Sequence, residues 1–255
     1  MIGNFGQIQY RIIEGKINYG KLLSYKNENQ KQIENPQLSD SKLKMEKTLS
    51  DEMKRLSIKY FKGREYNQEQ VTNWNSEYID DMRNFVKSNF PNYKFFFCVC
   101  SQKNNQNSFY INNKQFYFTD TDGFVKYIYI DKIYCASYLL YIKTKNKEVD
   151  VSFKGLENYL QPKIKKIFYN YLEGRKYDHK EFDFYVEGIG EEIRRETKNF
   201  SKNLSSNFIT ILIKKPSYNY NFTWNWLNGN NTHKIFEKYN GQYSECKVII
   251  ASCIP

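Results

Sequence analysis

The residues best suited to catalysis are sparse in this sequence and stand apart from one another. The two histidines, His179 and His233, lie in different segments, and a lone histidine is more often a structural or surface residue than a general base. The carboxylate pairs Asp80-Asp81 and Glu191-Glu192 fall within helical patterns, where solvation explains them better than acid–base chemistry does. We therefore predict no catalytic residue and no enzymatic activity.

Three short motifs contain parts of ligand sites without completing one. Cys98-x-Cys100 places two thiols on one face of a strand, but no second Cys or His cluster follows, as a zinc site would need. Asp120-Thr121-Asp122-Gly123 is similar to part of a calcium loop, although Phe118 holds the first ligand position and Tyr129 the position of the closing glutamate. Gly188-Ile189-Gly190 lacks the third glycine of a phosphate loop. We predict no metal site and no cofactor.

The composition is that of a globular chain with a substantial core. Of the 255 residues, 40% are hydrophobic and 18% are aromatic, which excludes a fully disordered protein. No apolar run reaches the ~18 residues of a membrane helix, and the first residues lack the basic and apolar regions of a secretory signal. We expect a cytosolic protein with no membrane contact, in which the five cysteines are reduced core residues.

The net charge of +11 is compatible with an acidic partner such as nucleic acid or the microtubule surface. The lysines are scattered, however, and the densest run, Lys163–Lys166, falls on what is predicted to be a solvated helix face. Aromatic residues interleaved with lysine in Lys214–Trp226 could stack single-stranded bases. Because aromatics occur in every predicted strand and the element order is wrong for the common RNA-binding sheet, a nucleic-acid-binding module is the second hypothesis. Our main prediction includes no nucleic-acid partner.

The hydrophobic period divides the chain into four parts. Residues 1–40 are predicted to form an irregular extension, 41–143 a first domain, 144–153 a short charged linker and 154–255 a second domain. In each domain a period near 3.6 marks two helices, and a period of 2 then marks four strands. The predicted strands are Phe95–Cys100, Phe109–Phe118, Phe124–Ile130, Ile133–Ile142, Phe208–Lys214, Tyr220–Leu227, Lys234–Tyr239 and Glu245–Ile254. Each domain should be α+β, with two helices packed on a four-stranded antiparallel sheet.

Turn residues and buried positions complete this predicted fold. Asp122-Gly123, Asn228-Gly229 and Asn240-Gly241 are typical of tight hairpin turns between neighbouring strands. The alternation in the first strand predicts burial on both of its faces. The predicted core positions are Trp74, Phe95, Phe97, Val99 and Tyr185.

The two domains are related by an internal repeat. Tyr60–Tyr66 aligns with Tyr171–Tyr177, so that Gly63 and Gly174 are equivalent. The same constant offset relates Cys135 to Cys246. An internal duplication explains this agreement better than chance does.

A diffuse motif runs through the first domain. It consists of Val71 and Trp74 at the start of the second helix, the strand Lys94–Lys103 with its Cys and Gln-Lys residues, the Asp122-Gly123 pair, and a final strand containing Tyr134-Cys135. In order and spacing these residues resemble the Tctex-type dynein light chain family.

The resemblance covers about residues 45–143 and, more weakly through the repeat, 156–254. The second domain departs from the pattern, because Tyr185 stands in place of Trp74 and no Gln-Lys pair follows its first strand. The chain is therefore similar to a tandem, divergent member of the family.

The resemblance implies a non-catalytic adaptor subunit of a dynein. Family members pair as dimers that exchange a strand, and they bind an extended segment of a dynein intermediate chain along a sheet edge by strand addition. A tandem chain could form that dimer within itself, since a short linker holds the halves at high effective concentration. The implied partners are dynein intermediate chains, a second Tctex-type light chain and, indirectly, the dynein heavy-chain complex. The implied location is the cytoplasm and cytoskeleton, in a cilium or flagellum axoneme.

Two aromatic strands are candidates for the seam between the halves. Phe109–Phe118 and Tyr220–Leu227 are flat, and Lys114 is their only charged residue, so as open edges they would promote aggregation. We predict a pseudo-symmetric pairing of the halves, with the remaining edges left for intermediate-chain segments. The predicted seam residues are Phe109, Ile111, Phe116, Tyr117, Phe118, Tyr220, Phe222, Trp224 and Trp226. A purely architectural axonemal protein is a further alternative.

Overall fold

The computed structural model describes residues 36–104, 109–116, 122–143, 153, 155–176, 181–200, 206–214, 220–228, 232–242 and 244–253. In the first half, helices α1 and α2 precede strands β1 to β4, and helices α3 and α4 precede β5 to β8 in the second half. The bounds are α1 Pro36–Phe61, α2 Gln68–Asn89, β1 Tyr93–Lys103, β2 Phe109–Phe116, β3 Gly123–Ile130, β4 Ile133–Lys143, α3 Leu156–Leu172, α4 Phe182–Phe200, β5 Ser206–Lys214, β6 Tyr220–Trp226, β7 Thr232–Asn240 and β8 Glu245–Cys253.

The strands form two antiparallel sheets of four strands each. The first sheet has the order β3-β4-β1-β6 and the second the order β2-β5-β8-β7. Helices α1 and α2 pack on the first sheet, and α3 and α4 pack on the second. The predicted α+β class, with helices packed against antiparallel sheets, is confirmed.

Each sheet takes its fourth strand from the other half of the chain. Strand β6 pairs with β1 from Phe96↔Trp226 to Gln102↔Tyr220, and β2 pairs with β5 from Phe109↔Lys214 to Phe116↔Asn207. This differs from the prediction that 41–143 and 154–255 would each supply a complete sheet. Alternation of side chains identifies a strand and its faces, but it does not identify the neighbouring strand.

Three buried clusters separate these layers. One lies between α1, α2 and the first sheet, and it also includes Leu227 from the end of β6. A second lies between α3, α4 and the second sheet. The third holds the opposite face of the first sheet, including Phe96 and Cys98, together with Ile249 of β8. The two sheets therefore face each other across a shared apolar layer, with a pair of helices on each outer side.

The helix ends are set by proline and glycine. Helix α1 begins at Pro36, inside the segment predicted to be irregular, because proline fits the first turn of a helix, where its missing N–H has no intrahelical partner. Gly63 and Gly174 follow α1 and α3 with φ of 71° and 69°, a left-handed conformation that glycine adopts without a Cβ clash. Helix α2 begins after Asn67, whose side chain accepts hydrogen bonds from the N–H groups of Glu69 and Gln70, both at 3.1 Å.

Two of the three predicted hairpin turns are wrong. Asp122-Gly123 and Asn228 lie between strands that belong to different sheets, so neither forms a hairpin, and Gly229 lies outside the described residues. The Asp122 carboxylate instead accepts a hydrogen bond from the Lys143 N–H at 3.0 Å, at the end of β4. Asn240-Gly241 does join the paired strands β7 and β8, with the Gly241 N–H donating to the Ser244 carbonyl at 2.9 Å.

Candidate partner-binding edge and exchanged strand

The predicted core residues differ in how deeply they lie. Phe95, Phe97 and Val99 of β1 are fully buried, and Tyr185 of α4 is 7% exposed. Trp74 is only partly buried, with the Arg64 guanidinium 4.5 Å from the centre of its ring. The buried face of α2 instead carries Val71, Asn75, Tyr78, Ile79, Met82 and Val86. Trp74, a predicted core residue, therefore lies at the margin of that face and packs against the core without being buried in it.

The four aromatic residues of β6 contribute to the layer between the sheets. Tyr220 and Phe222 are buried there, and Trp224 and Trp226 are partly buried against it. The Trp226 ring packs edge-on against Phe96 at 5.3 Å. The Trp224 ring stacks on Phe236 of β7 at 5.0 Å. These rings join the exchanged strand to both sheets.

The predicted seam residues of the first half are described only in part. Phe109, Ile111 and Phe116 lie on β2 and pair with Lys214, Leu212 and Asn207 of β5, respectively. Their side chains, and Tyr117 and Phe118 altogether, lie outside the described residues. The seam as a set of interacting side chains therefore stays a prediction.

A polar cluster around the buried Asn75 fastens the beginning of β6 to the first half. The Asn75 side chain is fully buried; its Nδ2 donates to Asn221 Oδ1 at 2.8 Å, and its Oδ1 accepts from Ser101 Oγ at 2.9 Å. Asn221 in turn donates to Thr72 Oγ1 at 2.6 Å and accepts from Thr223 Oγ1 at 2.8 Å. The buried Asn75 amide would be costly to leave unpaired, and here it has a partner on each side.

Sequence reasoning missed this cluster. A signal for it exists, because Asn75 stands midway between Val71 and Ile79 at helical spacing, on the stripe that those residues define. A polar residue on such a stripe indicates a buried hydrogen-bonding partner. The partner, Asn221, is distant in sequence and alternates with aromatic residues.

The end of β6 is fastened by main-chain and amide hydrogen bonds. The Leu227 N–H donates to the Phe95 carbonyl at 2.8 Å. Asn228 then continues the ladder with its side chain, accepting from the Phe95 N–H at 2.9 Å and donating to the Tyr93 carbonyl at 2.7 Å. The side chain of Leu227 completes the helix-facing core of the first half.

The opposite edge of β6 has no strand beside it among the described residues. Because the Leu227 N–H faces β1, alternation of an antiparallel ladder directs the main-chain groups of Phe222 and Trp224 away from β1. The Tyr220 carbonyl also faces that way and accepts a hydrogen bond from Gln68 Nε2 of α2 at 3.2 Å. Gln68 of α2 therefore covers the outer edge of β6 at Tyr220, and the main-chain groups of Phe222 and Trp224 point outward along the rest of that edge.

The thiols have no reactive character in the described part of the chain. Cys98, Cys100, Cys135 and Cys246 are free and buried. Burial raises the pKa of the Cys135 thiol to about 12 and raises the pKa values of the Cys100 and Cys246 thiols well above the ordinary range. No group of metal-ligating side chains was found among the described residues, and no helix among them is both long and apolar enough to span a bilayer.

The model of the Tctex-1 family matches residues 43–142. Residues 43–142 form a Tctex-1 family domain. The family consists of non-catalytic dynein light chains that bind dynein components, which indicates a dynein-associated cytoskeletal role for the matched domain. No curated protein matches the chain.

The Tctex-1 domain does not complete its own sheet. The matched range runs from α1 through β4 and includes β2, yet β2 is paired in the second sheet. The fourth strand of the sheet in this domain is β6, which lies outside the matched range. The Tctex-1 domain therefore needs a strand from the second half of the chain to complete its sheet.

Proposed function

We propose that the protein is a dynein light chain whose two halves form a dimer-like unit within one chain and bind a segment of a dynein intermediate chain. The observation that carries this proposal is the reciprocal exchange of β2 and β6 between the two sheets. Strand exchange between protomers is also what the resemblance to light-chain dimers implies. The protein acts by holding a partner, and it catalyses no reaction.

Matched contacts in the two halves support an origin by duplication. The Arg64 guanidinium lies over the Trp74 ring, and at the equivalent positions of the repeat Arg175 lies over the Tyr185 ring, at 4.5 and 4.8 Å from the ring centres. Such stacking stabilises a cation–aromatic pair. The side chain changes from Trp to Tyr while the contact is kept, as expected of diverged copies.

A second matched contact joins the helices of each half. The Tyr60 hydroxyl donates to the Asp81 carboxylate at 2.7 Å, and its repeat equivalent, Tyr171, donates to Glu192 at 3.0 Å. Both hydrogen bonds connect the first helix of a half to its second helix. The two helix pairs are therefore fastened at equivalent points.

The intermediate-chain segment would bind as an added strand on the outer edge of β6. Phe222 and Trp224 present main-chain donors and acceptors there, and such hydrogen bonds supply affinity in strand addition. The exposed part of Phe236, which stacks on Trp224, would provide an apolar contact for side chains of the added strand. Strand β2 occupies the corresponding edge of the second sheet, so the chain has two places for such segments.

We place the protein in an axonemal dynein complex, where it would reach the heavy chains through the intermediate chains. A second Tctex-type light chain is not required, because each sheet already has its exchanged strand. Binding of nucleic acid through the aromatic strands has less support. The rings of Trp224 and Trp226 pack against Phe236 and Phe96, and β1 is buried on both faces.

Affinity purification of the tagged chain from ciliated cells, with identification of co-purifying intermediate and heavy chains, tests the partner. Titration with intermediate-chain peptides then tests the edge. Trp224→Pro removes an outward N–H as well as the ring, whereas Trp224→Ala removes the ring alone. We expect the proline variant to bind at least about tenfold more weakly than the alanine variant, a difference of about 1.4 kcal/mol.

Lys238→Pro on β7 is the matched control, because it removes an outward N–H from an edge strand of the second sheet without changing β6. It should leave binding at the β6 edge unchanged. Equal binding by the two Trp224 variants would contradict strand addition at this edge. The absence of any dynein subunit in the purification would contradict the function itself.

A further inference from the structure

The cluster around Asn75 and Asn221 distinguishes the two exchanged strands. We infer that it selects β6 as the fourth strand of the first sheet and rejects β2, whether β2 comes from the same chain or from a second copy. The inference concerns how the chain pairs with itself, and it goes beyond the proposed binding of intermediate chains.

The selection rests on a complete hydrogen-bonding pattern. Asn75 is fully buried, and its amide is paired on one side by Ser101 of β1 and on the other by Asn221 of β6. Ser101 and Asn221 are directly opposite each other in the ladder. An apolar residue at the position of Asn221 would leave the Asn75 amide without its acceptor in a buried site.

The second sheet has apolar residues at the corresponding positions. Val99 of β1 and Ile211 of β5 both lie on the helix-facing side of their sheets, so the residue that corresponds to Ser101 is Ile213, two positions after Ile211. The residue opposite Ile213 is Tyr110 of β2. The helix residue that corresponds to Asn75 is Val186, which is fully buried.

The two sheets are therefore complementary to different strands. Strand β2 in the first sheet would place Tyr110 opposite Ser101 and remove the partner of Asn75. Strand β6 in the second sheet would place Asn221 opposite Ile213 and beside Val186, so its hydrogen bond to the Asn75 amide would be lost. Both errors remove the hydrogen bond between the two amides, and the first leaves the buried Asn75 without its acceptor. The observed arrangement is therefore favoured over a homodimer in which two first halves exchange β2. Connection within one chain then favours β6 of the same chain over that of a copy.

A double-mutant cycle on the full chain tests the coupling on which this selection depends. Asn75→Val and Asn221→Val should each lower the melting temperature of a chain of this size by roughly 4 °C, because each removes the hydrogen bond between the two amides and leaves the remaining amide with fewer partners. The double variant should melt close to the single variants, because it leaves neither amide without a partner. Asn225→Val is the matched control on the same face of β6 and should change the melting temperature by less than about 1 °C. Additive losses in the double variant, or single variants that melt like the control, would overturn the inference.

Co-expression of two differently tagged full-length chains tests the selection itself. The wild-type chains should remain separate in native mass spectrometry. The pocket variant Asn75→Val/Ser101→Val removes the requirement for Asn221 and should raise the fraction of mixed-tag species about tenfold or more. Mixed species already abundant in the wild type, or no increase in the variant, would contradict the inference. No dynein component enters either experiment, so failure here is distinct from failure of the proposed function.

Discussion

The buried centres of the two halves are built from different side chains on matching backbones. In the first half the Tyr78 hydroxyl donates to the Met53 carbonyl at 2.8 Å and lies 3.1 Å from Ser57 Oγ and 3.3 Å from Ser137 Oγ. In the second half the positions equivalent to Ser57, Tyr78 and Ser137 are wholly apolar. Their residues are Phe168, Ile189 and Val248, and each is at most 1% exposed.

The comparison shows a trade of side chains at three equivalent positions. The first half combines one large ring with two small serines, whereas the second combines a smaller isoleucine with a larger phenylalanine and valine. Cores tolerate such exchanges when the neighbouring side chains repack around them. The halves could therefore lose most of their sequence identity, and even a buried hydrogen-bond network, without losing the same arrangement of helices on a sheet.

The largest expected effect comes from breaking this trade at its centre. Tyr78→Ile introduces the second-half residue into the first-half surroundings, where Ser57 and Ser137 are too small to fill the space left by the ring. We expect the free energy of unfolding to fall by about 3 kcal/mol, because a cavity is created and buried hydroxyls lose a partner. Urea denaturation of the full chain measures this change.

Two further substitutions should restore stability to the Tyr78→Ile variant. Adding Ser57→Phe and Ser137→Val to Tyr78→Ile recreates the second-half triad, and we expect more than half of the lost stability to return. Ile189→Val is the matched control in the second half and should cost only about 1 kcal/mol. A triple variant less stable than Tyr78→Ile alone would show that the two centres are not interchangeable.

A smaller difference is expected at the paired aromatic residues of α2 and α4. Tyr185 is nearly enclosed, and its hydroxyl accepts from Arg175 at 2.8 Å and donates to Glu181 at 2.9 Å. Trp74 is only partly buried. We expect Tyr185→Ala to cost about 3 kcal/mol and Trp74→Ala about 2 kcal/mol. Thermal or urea unfolding shows which variant loses more stability. A larger loss for Trp74→Ala would mean that the Trp74 ring contributes more to the core than its exposure indicates.

The smallest effect concerns pH. Burial acts to raise the pKa of Asp81, but hydrogen bonds from Lys59 and Tyr60 outweigh it, and the pKa falls below its usual 3.8. The hydrogen bond from Lys163 similarly lowers the pKa of Glu196 below 4.5. Because both carboxyl pKa values are lowered in the folded protein, their stabilisation is present above the ordinary values and lost as the pH falls through the folded ones.

The expected contribution of each pair is small, because both are near the surface and are screened by solvent. Urea midpoints measured between about pH 6 and pH 2 should fall less steeply for Asp81→Asn and for Glu196→Gln than for the wild type. If the urea midpoint of a variant falls with pH as steeply as that of the wild type, the replaced carboxylate does not contribute to the pH dependence.

The sequence predicts the elements of this fold well and their pairing poorly. Periodicity locates the helices and strands because each buries one face or both, as Leu49, Met53 and Leu56 do on α1. It does not identify the partner of β2 or β6, since any antiparallel neighbour satisfies the same alternation. Asp122 and Asn228 do not form the predicted hairpin turns, because residues typical of turns also use their side chains to cap strand ends.

The edge that we propose for binding was only partly predictable for the same reason. The aromatic residues of β6 are evident in the sequence, but Asn75, Ser101 and Asn221 come together only through the exchange. Polar residues at these otherwise apolar positions are the only sign of the exchange in the sequence. Their pairing can be recognised only when the order of the strands in the sheets is known.

The most direct test of the exchange is a disulfide between β1 and β6. Cys98 lies directly opposite Trp224, at a pair without mutual main-chain hydrogen bonds, where opposed Cα atoms are close enough for a disulfide. In a Cys100→Ser background, oxidised Trp224→Cys should give an intrachain disulfide to Cys98 in monomeric protein, identified by peptide mapping, whereas Asn225→Cys should not. Failure of the Trp224 variant to form this bond, or a bond found only between chains, would contradict the exchange of strands within one chain.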